Sequence, residues 1–165
     1  IEEEKDVLRI AAMLHDVGKV AVSDLILKKP GKLTPEEYDV MKTHAEQGAN
    51  LFIGHMTAYD RAAQDVAVNH HQKWNGTGYP ALPVAGTGET RPMRGEEIPL
   101  FGRIVALADV YDALVSRRVY KEAWSDEESL KVIRDESGKH FDPELVEIFL
   151  SIRDIFLAIQ KRYPD

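Results

Sequence analysis

Apolar positions along the chain recur mainly at three- and four-residue spacing. Val7, Leu8, Ile10, Ala11 and Leu14 form one such stripe, predicting a first helix that ends at His15-Asp16 and the Gly18 break. A loop containing Lys29-Pro30-Gly31 follows. Thr34-Pro35-Glu36-Glu37 then reads as an N-cap, a proline at the first helical position and a capping-box glutamate. That helix is expected to reach about Ile53 and to carry His44, and another is expected from about Tyr59 to His71. Residues 73–97 are rich in glycine and proline and show no period, which predicts a long loop of the kind that serves function. Helical spacing resumes near Pro99 and continues through Ile104, Val105, Leu107, Ala108, Val110, Ala113 and Leu114. Ser125 and Glu128 form a capping box for a helix to about Glu136, and Asp142 caps one running from Pro143 to about Tyr163. No strand is expected. The pattern predicts one all-α domain over residues 1–165.

Composition narrows the chemistry. With 44% hydrophobic and 30% charged residues, the 165-residue chain has the balance of a globular domain large enough to bury a core. No apolar stretch is long enough to insert in a membrane, and the opening Glu2-Glu3-Glu4-Lys5-Asp6 is unlike the basic start of a secretory leader. The absence of cysteine removes disulfides and thiolate-bound metals and fits a cytoplasmic setting. A net charge of −7 argues against binding DNA or RNA, where affinity comes from lysine and arginine neutralising phosphates. A phosphate-bearing substrate would need a local positive charge, and bound metal ions would provide it.

The placement of histidines and aspartates points the same way. His15-Asp16 closes one predicted helix, His44 lies in the next, and His70-His71 closes a third. Asp109 and Asp112, three residues apart, share one face of the helix after the loop. Imidazole mixed with carboxylate suits iron, manganese or zinc better than calcium or magnesium, which favour oxygen alone. An aspartate between histidines could bridge two ions, and a hydroxide held between them would attack a phosphodiester at neutral pH. Each residue also has a plainer reading, since helix C-termini attract histidine through their dipole. His55 and His140 are expected to be structural or solvated, and Asp142 to act as a cap.

The motifs together resemble the HD-GYP group of HD phosphohydrolases. They are His15-Asp16-Val17-Gly18-Lys19, Leu27 to Thr34, Met41-Lys42-Thr43-His44, His70-His71, Gly76-Thr77-Gly78-Tyr79-Pro80, Ile98-Pro99, Arg103-Ile104-Val105, Asp109 to Leu114 and Phe141-Asp142-Pro143. Each is weak alone, but the ordered set is specific. The resemblance implies an HD-type helical bundle that hydrolyses cyclic di-GMP to the linear dinucleotide pGpG and onward to GMP, through a metal-bridged hydroxide. It implies His15, Asp16, His44, His70, His71 and Asp109 as metal ligands, with Asp16 the bridge. Lys19 would contact the scissile phosphate or the attacking hydroxide, and Tyr79, Asp112, Arg118 and Lys121 would contact substrate. Two divalent ions are implied, or three where an upstream carboxylate contributes. Iron or manganese is favoured, with zinc, nickel or magnesium as substitutes in purified material. A fused or partner sensory or receiver domain is implied as well, and a homodimer is compatible with it.

Several positions depart from the family pattern. Gln72 stands where glutamate is usual and is expected to hydrogen-bond an imidazole, Val119 replaces a customary proline, and the loop from Pro80 to Ile98 is longer by roughly ten residues. The upstream helix that supplies a further histidine in the family is expected to lie outside these residues. Two other functions stay open: a nucleotide-sensing or protein-interaction module without turnover, and a hydrolase acting on another phosphate ester.

Overall fold

The computed structural model of the chain describes residues 2–54, 57–116 and 124–162. His55, Arg118, Val119 and Lys121 lie outside them. The architecture is helical, in the order α1 (Glu2–Met13), a 3-10 turn (Val17–Ala21), α2 (Asp24–Leu27), α3 (Pro35–Lys42), α4 (His44–Asn50), α5 (Ala58–Asn69), α6 (Leu100–Val115), α7 (Asp126–Asp135), α8 (Pro143–Ser151) and α9 (Arg153–Arg162). The all-α expectation holds.

The caps read from the sequence start the helices. Thr34 Oγ1 accepts from Glu37 N at 3.3 Å while Glu37 Oε2 accepts from Thr34 N at 2.7 Å, and Pro35 occupies the first turn. Ser125 and Glu128 make the same reciprocal pair, and Asp142 accepts from Glu144 N at 2.9 Å. A further box, Thr57 with Asp60, starts α5.

Three expectations need correction. The segment expected as one helix to Ile53 is two, α3 and α4, ending at Asn50 and divided at Thr43, whose Oγ1 donates to Val40 O at 2.7 Å. The last helix is likewise divided at Ile152, after Ser151 Oγ donates to Ile148 O at 2.6 Å. The loop over 73–97 is not structureless. It carries a two-stranded antiparallel ribbon, β1 (Leu82–Pro83) against β2 (Thr90–Arg91), with Leu82 opposite Arg91, and a 3-10 turn at Gly95–Glu97. Backbone bonds tie it down: Trp74 N donates to His140 O at 3.0 Å, Asn75 N to Lys139 O at 2.9 Å and Gly95 N to Trp74 O at 2.9 Å.

Two apolar clusters share α6. On one side Val105 meets Val7 and Ala11 of α1 and Ala62 and Val66 of α5. On the other, Leu107 and Tyr111 meet Leu130 and Ile133 of α7, Phe141, and Val146 and Phe149 of α8. Burying each large aliphatic side chain there contributes about 1.5–3 kcal/mol. Between α4 and α5 the contact is made by small residues, Ala45, Ala49, Ala63 and Ala67, all buried. Small residues let backbones approach closely. The 3-10 turn presses so tightly on α4 that a Cβ on Gly18 would stand 2.0 Å from His44 O. This close approach brings Asp16 and Lys19 to the ends of α4 and α5.

Candidate metal centre

α1 ends before the His-Asp pair. Leu14 N and His15 N bond back three residues, to Ala11 O and Ala12 O, and the chain enters the 3-10 turn with Asp16 at its start. His15 and Asp16 therefore do not diverge as neighbours on a continuing helix would. α4 presents His44 from its first turn, and α5 presents His70 and His71 from its C-terminal end.

Asp16, His44, His70 and His71 each place one donor atom so that all four lie within 4.8 Å of one another. Asp16 Oδ1 is 3.4 Å from His44 Nε2 and 3.7 Å from His70 Nε2, and His44 Nε2 is 3.4 Å from His70 Nε2 and 3.1 Å from His71 Nε2. His15 Nε2 lies beside this group, 3.4 Å from Asp16 Oδ2 and 3.8 Å from Asp109 Oδ1. Lys19 Nζ donates to Asp16 Oδ2.

The backs of the rings fix which nitrogen faces inward. His15 Nδ1 bonds Ala12 O at 2.6 Å, His44 Nδ1 bonds Met41 O at 2.6 Å, and His70 Nδ1 lies 3.0–3.1 Å from Ala67 O and Val66 O. A carbonyl can only accept, so each Nδ1 carries the proton and each Nε2 turns a lone pair to the centre. Such carbonyl partners orient metal-binding imidazoles. Lone pairs facing one another at 3.4 Å repel, and the buried Asp16 Oδ1 has no hydrogen-bond partner. A divalent cation among these atoms resolves both problems, and the mixed nitrogen and oxygen donors suit a borderline transition metal. The donor set fits a metal.

Protonation follows from burial and charge. Burial alone would raise the Asp16 carboxyl, but the close polar contacts of His15, His70 and Lys19, with the Lys19 charge among them, outweigh it and hold Asp16 below the usual range. Burial lowers His71 to about 2, with the neighbouring imidazoles His70 and His44 adding to it, and burial also lowers His44. His15 moves up, chiefly through the Asp16 carboxylate beside it, which favours an added proton. His44 and His71 are thus held neutral, the form that can ligate.

Above the cluster lies a cavity of about 490 Å³ whose lining includes Lys19, Tyr38, His44, His71, Lys73, Tyr79 and His140. Tyr79 stacks on His71, with centroids 4.7 Å apart and planes at 26°, and meets Tyr38 edge-on at 6.4 Å. Burial raises the Tyr79 hydroxyl, so it remains a phenol and a donor. Gln72 is buried, but it does not bond an imidazole as expected. Its Nε2 donates to Pro80 O at 2.5 Å, tying the Gly-Tyr-Pro segment to the end of α5.

The structure thus gathers His15, Asp16, Lys19, His44, His70, His71, Tyr79 and Asp109 in one region. It does not bring Asp112 to them: that side chain is exposed, one turn beyond Asp109, with Ser116 Oγ 3.4 Å away. His140, expected to be structural or solvated, is half-buried and lines the cavity. Lys73 and Tyr38 were not singled out by sequence. Lys73 had a signal in standing two residues after the double histidine, while Tyr38 had none.

Comparison with known proteins places these features in a family. A model described as "HD domain" matches residues 2–145. A cyclic di-GMP phosphodiesterase of Vibrio cholerae is 46% identical over 165 residues, covering 97% of this chain and 32% of its own length. A 3'3'-cGAMP-specific phosphodiesterase 2 of the same organism is 42% identical over 164 residues, covering 99% and 30%. A cyclic di-GMP phosphodiesterase response regulator of Xanthomonas campestris is 43% identical over 149 residues, covering 90% and 37%. A crystal structure of a cyclic GMP-AMP specific phosphodiesterase of V. cholerae superimposes with a TM-score of 0.63 at 23% identity, over 93% of this chain and 39% of that one, which supports the fold. The chain spans about a third of the length of these curated relatives. With that match across residues 2–145, which takes in the His15-Asp16 pair, the chain belongs to the HD domain family.

Proposed function

We propose that this chain is the catalytic domain of a metal-dependent phosphodiesterase that hydrolyses cyclic di-GMP to the linear dinucleotide pGpG. The observation that carries this reading is the four-donor cluster of Asp16, His44, His70 and His71, two of which, His44 and His71, line a cavity together with Lys19. His15 and Asp109 lie beside this cluster and would extend the set of residues able to hold divalent ions. Iron or manganese matches these ligands best. When bound, such ions activate water and absorb phosphoryl charge.

The chain's own residues supply the rest. Lys19 spends one N–H on Asp16 and keeps others for a non-bridging phosphate oxygen, where a fixed ammonium stabilises charge developing in the transition state. Tyr79 offers a ring edge and a phenolic donor to the nucleotide. Asp112, Arg118 and Lys121 are assigned to substrate through the resemblance alone. The names of the relatives support a cyclic dinucleotide substrate, and their greater length supports control by a sensory or receiver domain. A nucleotide second messenger as substrate favours the cytoplasm; among the described residues no helix is long and apolar enough to cross a membrane.

A 42% identical relative named for 3'3'-cGAMP makes that dinucleotide the competing substrate. The test is chromatography of products from cyclic di-GMP, 3'3'-cGAMP and linear pGpG after incubation with manganese- or iron-loaded protein. Cleavage of cyclic di-GMP with at least comparable kcat/KM supports the proposal; cleavage of 3'3'-cGAMP alone reassigns the substrate; binding without turnover replaces the enzyme with a sensor. Asp16→Ala and His15→Ala should lower bound metal and abolish turnover. Lys19→Ala should keep the metal and lose roughly 10²-fold in kcat, the usual cost of one transition-state donor.

A further inference from the structure

The cavity extends beyond the residues this chemistry uses. Lys73 and His140 line it together with Lys19 and His71. Lys5, Lys28, Lys29, Lys42 and Lys131 each pair with a nearby carboxylate. Lys73 is half-buried and, among the described residues, its ammonium has no carboxylate partner. A cation facing a cavity without a counter-ion is satisfied by water or by an anion that enters.

His140 is held beside it by the surrounding backbone. Its ring lies on Phe141 with centroids 4.4 Å apart and planes at 7°, its N donates to Glu136 O at 3.0 Å, and its O accepts from Trp74 N at 3.0 Å. The last bond joins the segment after Lys73 directly to His140, and the Lys73 charge is felt at the imidazole. Among the described residues the ring nitrogens of His140 make no hydrogen bond, leaving a fixed donor and acceptor at the wall.

A cyclic dinucleotide carries two phosphodiesters, and only one can lie over the cluster while it is cleaved. We propose that Lys73 and His140 form a second anion subsite, holding the phosphodiester that is not being cleaved while its partner lies against Asp16 and Lys19. This inference rests on the proposed reading of the site and extends it. It assigns Lys73 the charge contact and His140 a neutral hydrogen bond. The subsite would distinguish substrates with two phosphates from those with one.

The test compares Lys73→Ala, Lys73→Arg and His140→Ala with the unaltered manganese-loaded chain on cyclic di-GMP and on bis(p-nitrophenyl) phosphate, which has a single phosphodiester. Lys73→Ala should lower kcat/KM for cyclic di-GMP about tenfold more than for the small diester, mainly through KM, as expected for one charge-assisted hydrogen bond. Lys73→Arg should recover most of that loss, and His140→Ala should give a smaller loss of the same selectivity. Equal losses on both substrates, or none on either, would overturn the subsite. Calorimetry with cyclic di-GMP on metal-free protein separates this inference from the catalytic reading. Should the unaltered chain bind without turning over, about tenfold weaker binding by Lys73→Ala would uphold the subsite. Unchanged affinity, or no binding by the unaltered chain, would refute it.

Discussion

Replacing Gly18 by alanine should dismantle the centre without touching a ligand. The added methyl carbon would lie 2.0 Å from His44 O, 2.4 Å from Gly48 N and 2.8 Å from Gly48 Cα. Non-bonded carbon contacts sit comfortably at about 3.5 Å, so the 3-10 turn must withdraw from α4 by roughly 1.5 Å. Backbone lies on the other side of every clash, so no flexible side chain can yield. Overpacking of this kind costs about 1–3 kcal/mol where side chains can adjust, and the upper end applies here. At roughly 2–4 °C per kcal/mol for a domain of this size, the melting temperature should fall by about 6–12 °C. The same withdrawal moves Asp16, now 3.4 Å from His44 Nε2, away from the imidazoles. Metal content should therefore fall as well. Calorimetric melting of the metal-free protein and elemental analysis after dialysis against limiting manganese would measure the two effects. Gly48→Ala is the comparison: its Cβ would meet Gly18 N at 3.2 Å and Ala67 Cβ at 3.3 Å, tight but adjustable, and it should cost much less. A Gly18→Ala protein that melts within two or three degrees of the unaltered chain and retains its metal (~2 °C being the effect of under 1 kcal/mol) would refute the close approach of the turn to α4.

Other outcomes follow from particular contacts. Arg103 Nη1 donates to the buried Asp142 Oδ2 at 2.5 Å, so Asp142→Ala should destabilise by about 3–5 kcal/mol, while Arg103→Met with Asp142→Leu should cost less than the single change. Equal melting temperatures for single and double variants would argue against a buried pair. Burial and the Lys73 charge lower His140 to about 4, below the value of about 6.5 for an unfolded histidine, so the unfolded chain binds that proton first. The resulting stability is present above pH about 6.5 and lost as pH falls towards 4. Melts of the unaltered chain should accordingly lose more on acidification than those of His140→Gln; parallel curves would count against a buried neutral ring. Gln72→Glu would set a carboxylate against Pro80 O, where it cannot donate, and should lower stability by roughly 1–3 kcal/mol and loosen Tyr79. A variant as stable as the parent would mean that the amide does not anchor the Gly-Tyr-Pro segment.

The amino-acid sequence by itself determined the helical class, most helix starts and the identity of the donors. Caps such as Thr34-Pro35-Glu37 and Ser125-Glu128 are local devices, since each satisfies backbone groups within four residues. The histidines and aspartates could be picked out because their motifs occur in a recognisable order along the chain. Apolar spacing did not disclose the break at Thr43, where the backbone stays in the right-handed helical region and only the hydrogen-bond ladder is interrupted. The ribbon at Leu82 and Thr90 escaped notice because two-residue strands are too short to alternate.

Only the tertiary structure decided which donors meet. Asp109 and Asp112 share a helix face by spacing, yet one reaches His15 while the other is exposed to solvent, as the packing of α6 dictates. Lys73 and His140 are 67 positions apart in sequence and meet because backbone bonds from Trp74 and Asn75 tie their segments together. Ligand identity is a property of single residues, whereas their convergence depends on how closely backbones can approach, which at Gly18 is set by the absence of one methyl group.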